Sequence, residues 1–171
     1  MLPTLPWPSS TDERITQYAD LTARIAGLIE GEVDETAIYA TAACEIHHAF
    51  SHHHWTGFYR HVEADMLVIG PYQGTHGCLR IPFGEGVCGR AARSQSTLVV
   101  PDVRLFEGHI ACSTSTRSEI VVPLVAPDGS VLGVLDIDSD HVDAFDDLDR
   151  ACLERIAHLL STALAETSSI R

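Results

Sequence analysis

The chain has no apolar run approaching the roughly eighteen residues of a membrane-spanning helix. It is poor in positive charge: 11 lysine and arginine residues face 24 aspartates and glutamates, a formal net charge of −13. The few basic residues are scattered rather than gathered in a stripe, which argues against DNA or RNA as a partner. Ten histidines offset part of the deficit only in acid, because near neutral pH most carry no charge. No CxxC pair is present. The cysteines (Cys44, Cys78, Cys88, Cys112 and Cys152) form an odd set, unlike a secreted disulfide framework or a zinc ribbon. Residues 1–8 contain no basic residue and no seven-residue apolar stretch, so they do not read as a secretory signal. A reducing cytoplasm is the expected compartment, and there thiols can do chemistry.

What is present is enough for a core. The 171 residues are 45% hydrophobic, and a domain of about 150 residues buries roughly 70% of the surface its unfolded chain exposes. The expected organisation is a disordered or extended, proline-rich arm over 1–10, one domain over 11–166 and a tail over 167–171. Ser10 stands three residues before Glu13, the spacing of a capping box, and opens a helix over about 11–30 with apolar positions Ile15, Tyr18, Leu21, Ile25 and Leu28. Gly31 supplies its stop. Asp34 caps a second helix reaching about Phe50. From Trp55 the texture changes to six short runs rich in aromatic and β-branched residues: 55–59, 66–69, 79–81, 98–100, 120–125 and 131–137. Pro127-Asp128-Gly129 joins the last two as an antiparallel hairpin. A short helix begins near Glu85. A final one opens near Asp146, with Leu148, Cys152, Ile156, Leu159 and Ala163 as its apolar stripe. The fold class is therefore α+β: a six-stranded antiparallel sheet with helices at both chain ends.

Several groups are candidates for chemistry. Gly84-Glu85-Gly86-Val87-Cys88-Gly89 has the spacing of a dinucleotide-binding turn, but that turn needs a parallel βαβ unit, and these strands are too close together for crossover helices. Tight turns shaping a pocket wall are the better reading. The histidines at 47, 48, 52, 53 and 54 resemble a zinc site only if the helix continues to bring His48 and His52 one turn apart; a helix C-terminus accounts for them equally well. Cys44 and Cys152 lie in amphipathic helices and read as small core residues. Cys78, Cys88 and Cys112 fall in glycine-bearing loops or at strand ends, where thiols are reachable. Asp136 and Asp138 alternate on the last strand and share one face. Such a pair suggests a site for an ammonium group or a proton donor, unless it marks only a solvated sheet edge.

These residues together resemble a known family, the GAF-domain enzymes that reduce free methionine-(R)-sulfoxide. The resemblance is carried by Trp55-Thr56-Gly57-Phe58-Tyr59, Gly70-Pro71-Tyr72-Gln73-Gly74, the 84–89 glycine motif, Val100-Pro101-Asp102-Val103, Gly108-His109-Ile110-Ala111-Cys112, Ser118-Glu119-Ile120-Val121-Val122-Pro123 and Gly133-Val134-Leu135-Asp136-Ile137-Asp138-Ser139. Its specific part is the set of three loop cysteines.

The resemblance implies a GAF-like sheet with a closed pocket for one free amino acid and no bound cofactor. It implies Cys112 as nucleophile, Cys78 as resolving cysteine and Cys88 as an auxiliary thiol, and it leaves open which of the latter two is the dominant resolver. It further implies Glu119, Asp136 and Asp138 as the polar substrate-binding group, and Trp55 and Tyr59 as an aromatic wall. Asp138, held among like charges, is the expected acid for the departing oxygen. A thioredoxin-like dithiol is the implied recycling partner, and the terminal helices are the candidate surface for a homodimer. Ser113 departs from the family pattern, in which an acidic residue follows the cysteine. The alternative function is a non-enzymatic GAF module sensing a small ligand or redox state.

Overall fold

In a computed structural model, residues 2–110 and 112–168 are described. Helix α1 (Thr11–Leu28) starts where the capping box places it: Ser10 Oγ accepts from the Glu13 backbone N–H, and Glu13 Oε2 accepts from the Ser10 N–H at 2.8 Å. It buries Tyr18, Leu21 and Ile25, while the ends of the expected stripe, Ile15 and Leu28, remain exposed. Helix α2 (Glu35–Ala49) is capped by Asp34, whose Oδ1 accepts from the Ala37 N–H at 2.9 Å, and it buries Ile38, Tyr39, Ala42, Ala43 and Ile46.

The strands follow: β1 (Trp55–Glu63), β2 (Met66–Gln73), β3 (Arg80–Pro82), β4 (Leu98–Val100), β5 (Ser118–Val125) and β6 (Val131–Ser139). They form one antiparallel sheet in the order β3-β2-β1-β6-β5-β4, so the first and last strands meet at its centre. The β5–β6 hairpin turns at Gly129, whose φ of +87° suits glycine. Helix α3 (Gly86–Ser94) lies between β3 and β4, and α4 (Asp147–Ser168) closes the described chain.

Alternation along the strands divides the interior in two. Phe58, Ile120, Val122, Leu124, Leu135 and Ile137 face α1, α2 and α4 in the larger core. Trp55, Tyr59, Val121 and Val134 point the other way, toward α3 and the long loops. On α4 the buried apolar positions are Cys152, Leu153, Ile156, Ala157, Leu160 and Leu164. That stripe is shifted from the expected one, because α4 packs on β5 as well as α1 and Leu159 and Ala163 sit at its margin.

Helices α1 and α4 are joined by a buried polar knot. Tyr18 Oη donates to Asp149 Oδ1 at 2.9 Å, and Arg14 reaches Asp146 and Asp149 at 2.6 and 2.8 Å. Burial pushes the Asp149 carboxyl up despite Arg14, whereas the more exposed Asp146 is pulled down to about 2, chiefly by its hydrogen bond to Arg14. The favourable charge pairing therefore resides mainly with Asp146, while Asp149 mainly satisfies buried donors.

Of the two readings of residues 1–10, the described part, 2–10, takes the extended one and is docked. Leu5 exchanges backbone hydrogen bonds with Ala49 and Ser51, Gln17 Nε2 donates to the Pro3 carbonyl, and Trp7 stacks on His141 at 4.3 Å.

Candidate active site

The central strands set out the site by register alone. Trp55 on β1, Asp138 on β6 and Glu119 on β5 are successive cross-strand partners, and the adjoining row holds Gly57, Asp136 and Val121. An aromatic ring and three carboxyls thus occupy one face of the sheet middle, beneath α3. The indole of Trp55 stacks on Tyr59 and Tyr72, and its Nε1 donates to the Thr75 carbonyl at 2.8 Å. Gly57 makes that placement possible, since a Cβ there would stand 2.5 Å from the Trp55 ring.

Above this floor lies a small pocket, lined by Trp55, Tyr59, His76, Cys88, His109, Ile110, Cys112, Thr116, Glu119, Asp136 and Asp138, among others. A disulfide between Cys78, on the β2–β3 loop, and Cys112 joins two loops at its wall with a Cα separation of 5.3 Å. Both cysteines are half-buried. The Cys112 loop is steadied from α3, where Arg90 donates to the Glu107 carbonyl at 2.6 Å and lies over the Phe106 ring. On its other flank Ser115 Oγ is 3.3 Å from His54 Nε2, and the unusual Ser113 hydrogen-bonds Ser115 at 2.8 Å.

Cys88 corrects an expectation. It is buried in the first turn of α3 rather than reachable in a loop, because the glycine motif opens a helix: Gly86 takes a φ of +59°, and Gly89 lets α3 touch the Pro82 carbonyl. Its thiol donates toward Glu119 Oε1 at 3.9 Å. Burial, then the Asp136 and Glu119 carboxyls, pushes that thiol well up, so it makes a poor thiolate.

All three carboxyls are pushed well above the ordinary range, first by burial and then by a neighbouring carboxyl: Asp138 beside Glu119, Glu119 beside Asp136, and Asp136 beside Asp138. Asp136 Oδ1 is buried without a hydrogen-bond partner. His109 Nε2 stands 3.5 Å from Glu119 Oε2, but burial holds the imidazole below its usual pKa. With the Glu119 carboxyl also pushed up, both shifts weaken this contact as a salt bridge.

The histidine-rich segment does not continue α2, which ends at Ala49. His52 and His53 instead turn inward beside Phe50 and Phe145. Among the described residues, the group of three or more donors close enough to share an ion is Cys88, Glu119 and Asp136, away from those histidines.

A GAF-domain profile matches residues 33–165. The free methionine-R-sulfoxide reductase of Escherichia coli is 41% identical over 150 residues, covering 88% of this chain and 90% of that protein. Its namesake in Saccharomyces cerevisiae is 43% identical over 141 residues, 79% of this chain and 78% of that one. A crystal structure of free methionine-R-sulfoxide reductase from Neisseria meningitidis in complex with its substrate superimposes with a TM-score of 0.88 at 37% identity, covering 100% of both chains. The chain belongs to the GAF-domain free methionine-(R)-sulfoxide reductase family. In this GAF domain the sequence-nominated residues Trp55, Tyr59, Cys88, Cys112, Glu119, Asp136 and Asp138 converge on one pocket, with Cys78 bonded to its wall. His109 was assigned no role from sequence; ten residues before Glu119 in an irregular loop, it carries no periodic signal.

Proposed function

We propose that the protein reduces free L-methionine-(R)-sulfoxide to L-methionine, with the Cys78–Cys112 disulfide as the oxidised end point of its catalytic cycle. The observation that carries this reading is that disulfide, standing at a pocket whose floor is a cluster of buried carboxyls with raised pKa values facing an aromatic wall. In the reduced protein the Cys112 thiolate attacks the sulfoxide sulfur, and Asp138 supplies a proton to the oxygen. Methionine leaves, and the oxygen remains on Cys112 as a sulfenic acid. The Cys78 thiol then displaces it as water, forming the disulfide. A thioredoxin-like dithiol returns both thiols by exchange and leaves oxidised.

The carboxyls divide the work. Glu119 and Asp136 release their protons to solvent as the substrate's ammonium enters, because its positive charge offsets the burial that favours their neutral forms. Asp138 keeps the proton it is to deliver. A peptide-linked residue brings no ammonium and does not fit an enclosed site, so the free amino acid is the substrate. Trp55 and Tyr59 receive the methylsulfinyl end. Cys88 belongs to the pocket wall, and Cys78 is the resolver.

The test is a single turnover without recycling reductant. Reduced protein mixed with the separate epimers should release about one methionine per chain from the R form alone, with two thiols lost. Cys78→Ser should still release methionine but stall as a sulfenic acid. Release from neither epimer, in folded and reduced protein, would leave the ligand-sensing GAF module as the better reading.

A further inference from the structure

One donor set in the pocket includes a sulfur that binding an ammonium does not use. Cys88 Sγ and a carboxyl oxygen from each of Glu119 and Asp136 lie within 4.8 Å of one another, all three residues being buried. Carboxylates alone satisfy an ammonium, and a thiol with a raised pKa contributes little to it. A sulfur between two oxygens is, however, a mixed soft and hard donor set suited to zinc. Bond lengths of about 2.0–2.2 Å to oxygen and about 2.3 Å to sulfur give a tetrahedral site edges of roughly 3.3–3.7 Å. Cys88 Sγ and Glu119 Oε1 are 3.9 Å apart and the three donors all lie within 4.8 Å of one another, so side-chain adjustments of about an ångström suffice.

A further observation points to a ligand here. Asp136, 6% exposed and part of the pocket lining, has its Oδ1 buried with no hydrogen-bond partner.

We propose that Cys88, Glu119 and Asp136 bind a Zn²⁺ ion and that the ion excludes the free amino acid from the pocket. None of the three core donors takes part in the Cys78–Cys112 bond, so the site exists in the oxidised protein, where the sulfur chemistry does not run. The exclusion rests on the pocket being the substrate site; the metal binding does not.

The oxidised full-length protein is titrated with zinc sulfate against a chromogenic chelator. One ion per chain is expected, with affinity at least about 100-fold weaker in Cys88→Ala and in Asp136→Asn. No binding by the oxidised parent, or undiminished binding in both variants, overturns the proposal; the latter would assign the ion to the histidines of 47–54. Should either variant not fold, Cd²⁺ replaces Zn²⁺ in the unmutated oxidised protein and in Cys44→Ser. A thiolate-to-cadmium ultraviolet band present in both supports Cys88, and its absence from both overturns the site. In a second arm, Zn²⁺ added to the reduced protein should slow single-turnover methionine release, and excess sulfoxide should restore it. Inhibition that substrate does not relieve refutes the exclusion. A protein inactive without zinc that still binds the ion when oxidised would sink the reductase reading and leave the metal site standing.

Discussion

As the proposed acid, Asp138 has to be neutral when substrate arrives and ionised after one proton has moved. Its surroundings fit the proposal: burial and the Asp136 carboxyl raise its pKa, and it stands across from Trp55 and Glu119, in the row to which the proposed mechanism assigns the sulfoxide end. An amide at this position keeps the shape and loses the proton. Asp138→Asn should slow the single-turnover step about 100-fold or more while changing substrate affinity only a few-fold, since a positioned acid contributes roughly 10²–10⁴ in rate. Rapid-quench release of methionine against equilibrium binding of methionine separates the two; an unchanged rate removes Asp138 from the chemistry. The pairing of Asp136 and Asp138 on one face was legible in the sequence, because strand alternation is a local rule. The row of Trp55, Asp138 and Glu119 was not, because it depends on β6 pairing with both β1 and β5, strands distant from each other in the chain. His109 was less legible still: a loop side chain has no period, and its partner is defined only once the sheet exists.

At the level of elements, the glycine motif located a helix start but not the burial that comes with it. The helix expected near Glu85 is α3, and Gly89 lets it approach the Pro82 carbonyl to a distance no side chain permits. Cys88 is buried as a result, and a thiol expected to be accessible becomes part of the pocket wall. The helix starts at Ser10 and Asp34 were legible because caps are read from residues three apart. The knot between α1 and α4 was not, because Asp149 lies more than a hundred residues from both Arg14 and Tyr18. Removing Asp149 leaves a buried phenol and one arm of Arg14 unpaired at once. Asp149→Ala should destabilise the fold by about 3 kcal/mol, seen as a lower urea midpoint with an unchanged slope. A loss below about 0.5 kcal/mol would mean that Arg14–Asp146 alone joins the helices.

Across the whole molecule, two buried sets of titrating groups pull the pH dependence of stability in opposite directions. The pocket carboxyls have raised pKa values in the folded protein, so folding binds protons and stability falls as pH rises above about 4. His52 is pushed down to about 4, first by burial and then by His141 and Arg14 against the weaker opposing effect of Asp140; rings of Trp7, Phe50, His53 and Phe145 surround it, and neither ring nitrogen has a hydrogen-bond partner. The unfolded chain takes up a proton there near pH 6.5 and the folded chain does not until about pH 4. Stability from this site is therefore complete above 6.5 and is lost as pH falls toward 4, by on the order of 3 kcal/mol over the full window. His47 and His53 are displaced in the same direction. A melting curve of the parent mixes both sets, but a difference between parent and variant does not, since the carboxyls are common to both. His52→Phe keeps a ring among aromatic neighbours and removes the titration. The gap in Tm between variant and parent should be flat above pH 7 and widen in the variant's favour from pH 6.5 to 4.5. A gap independent of pH would mean that the histidine takes up its proton inside the fold, with Trp7 and the docked N-terminal arm giving way to admit water.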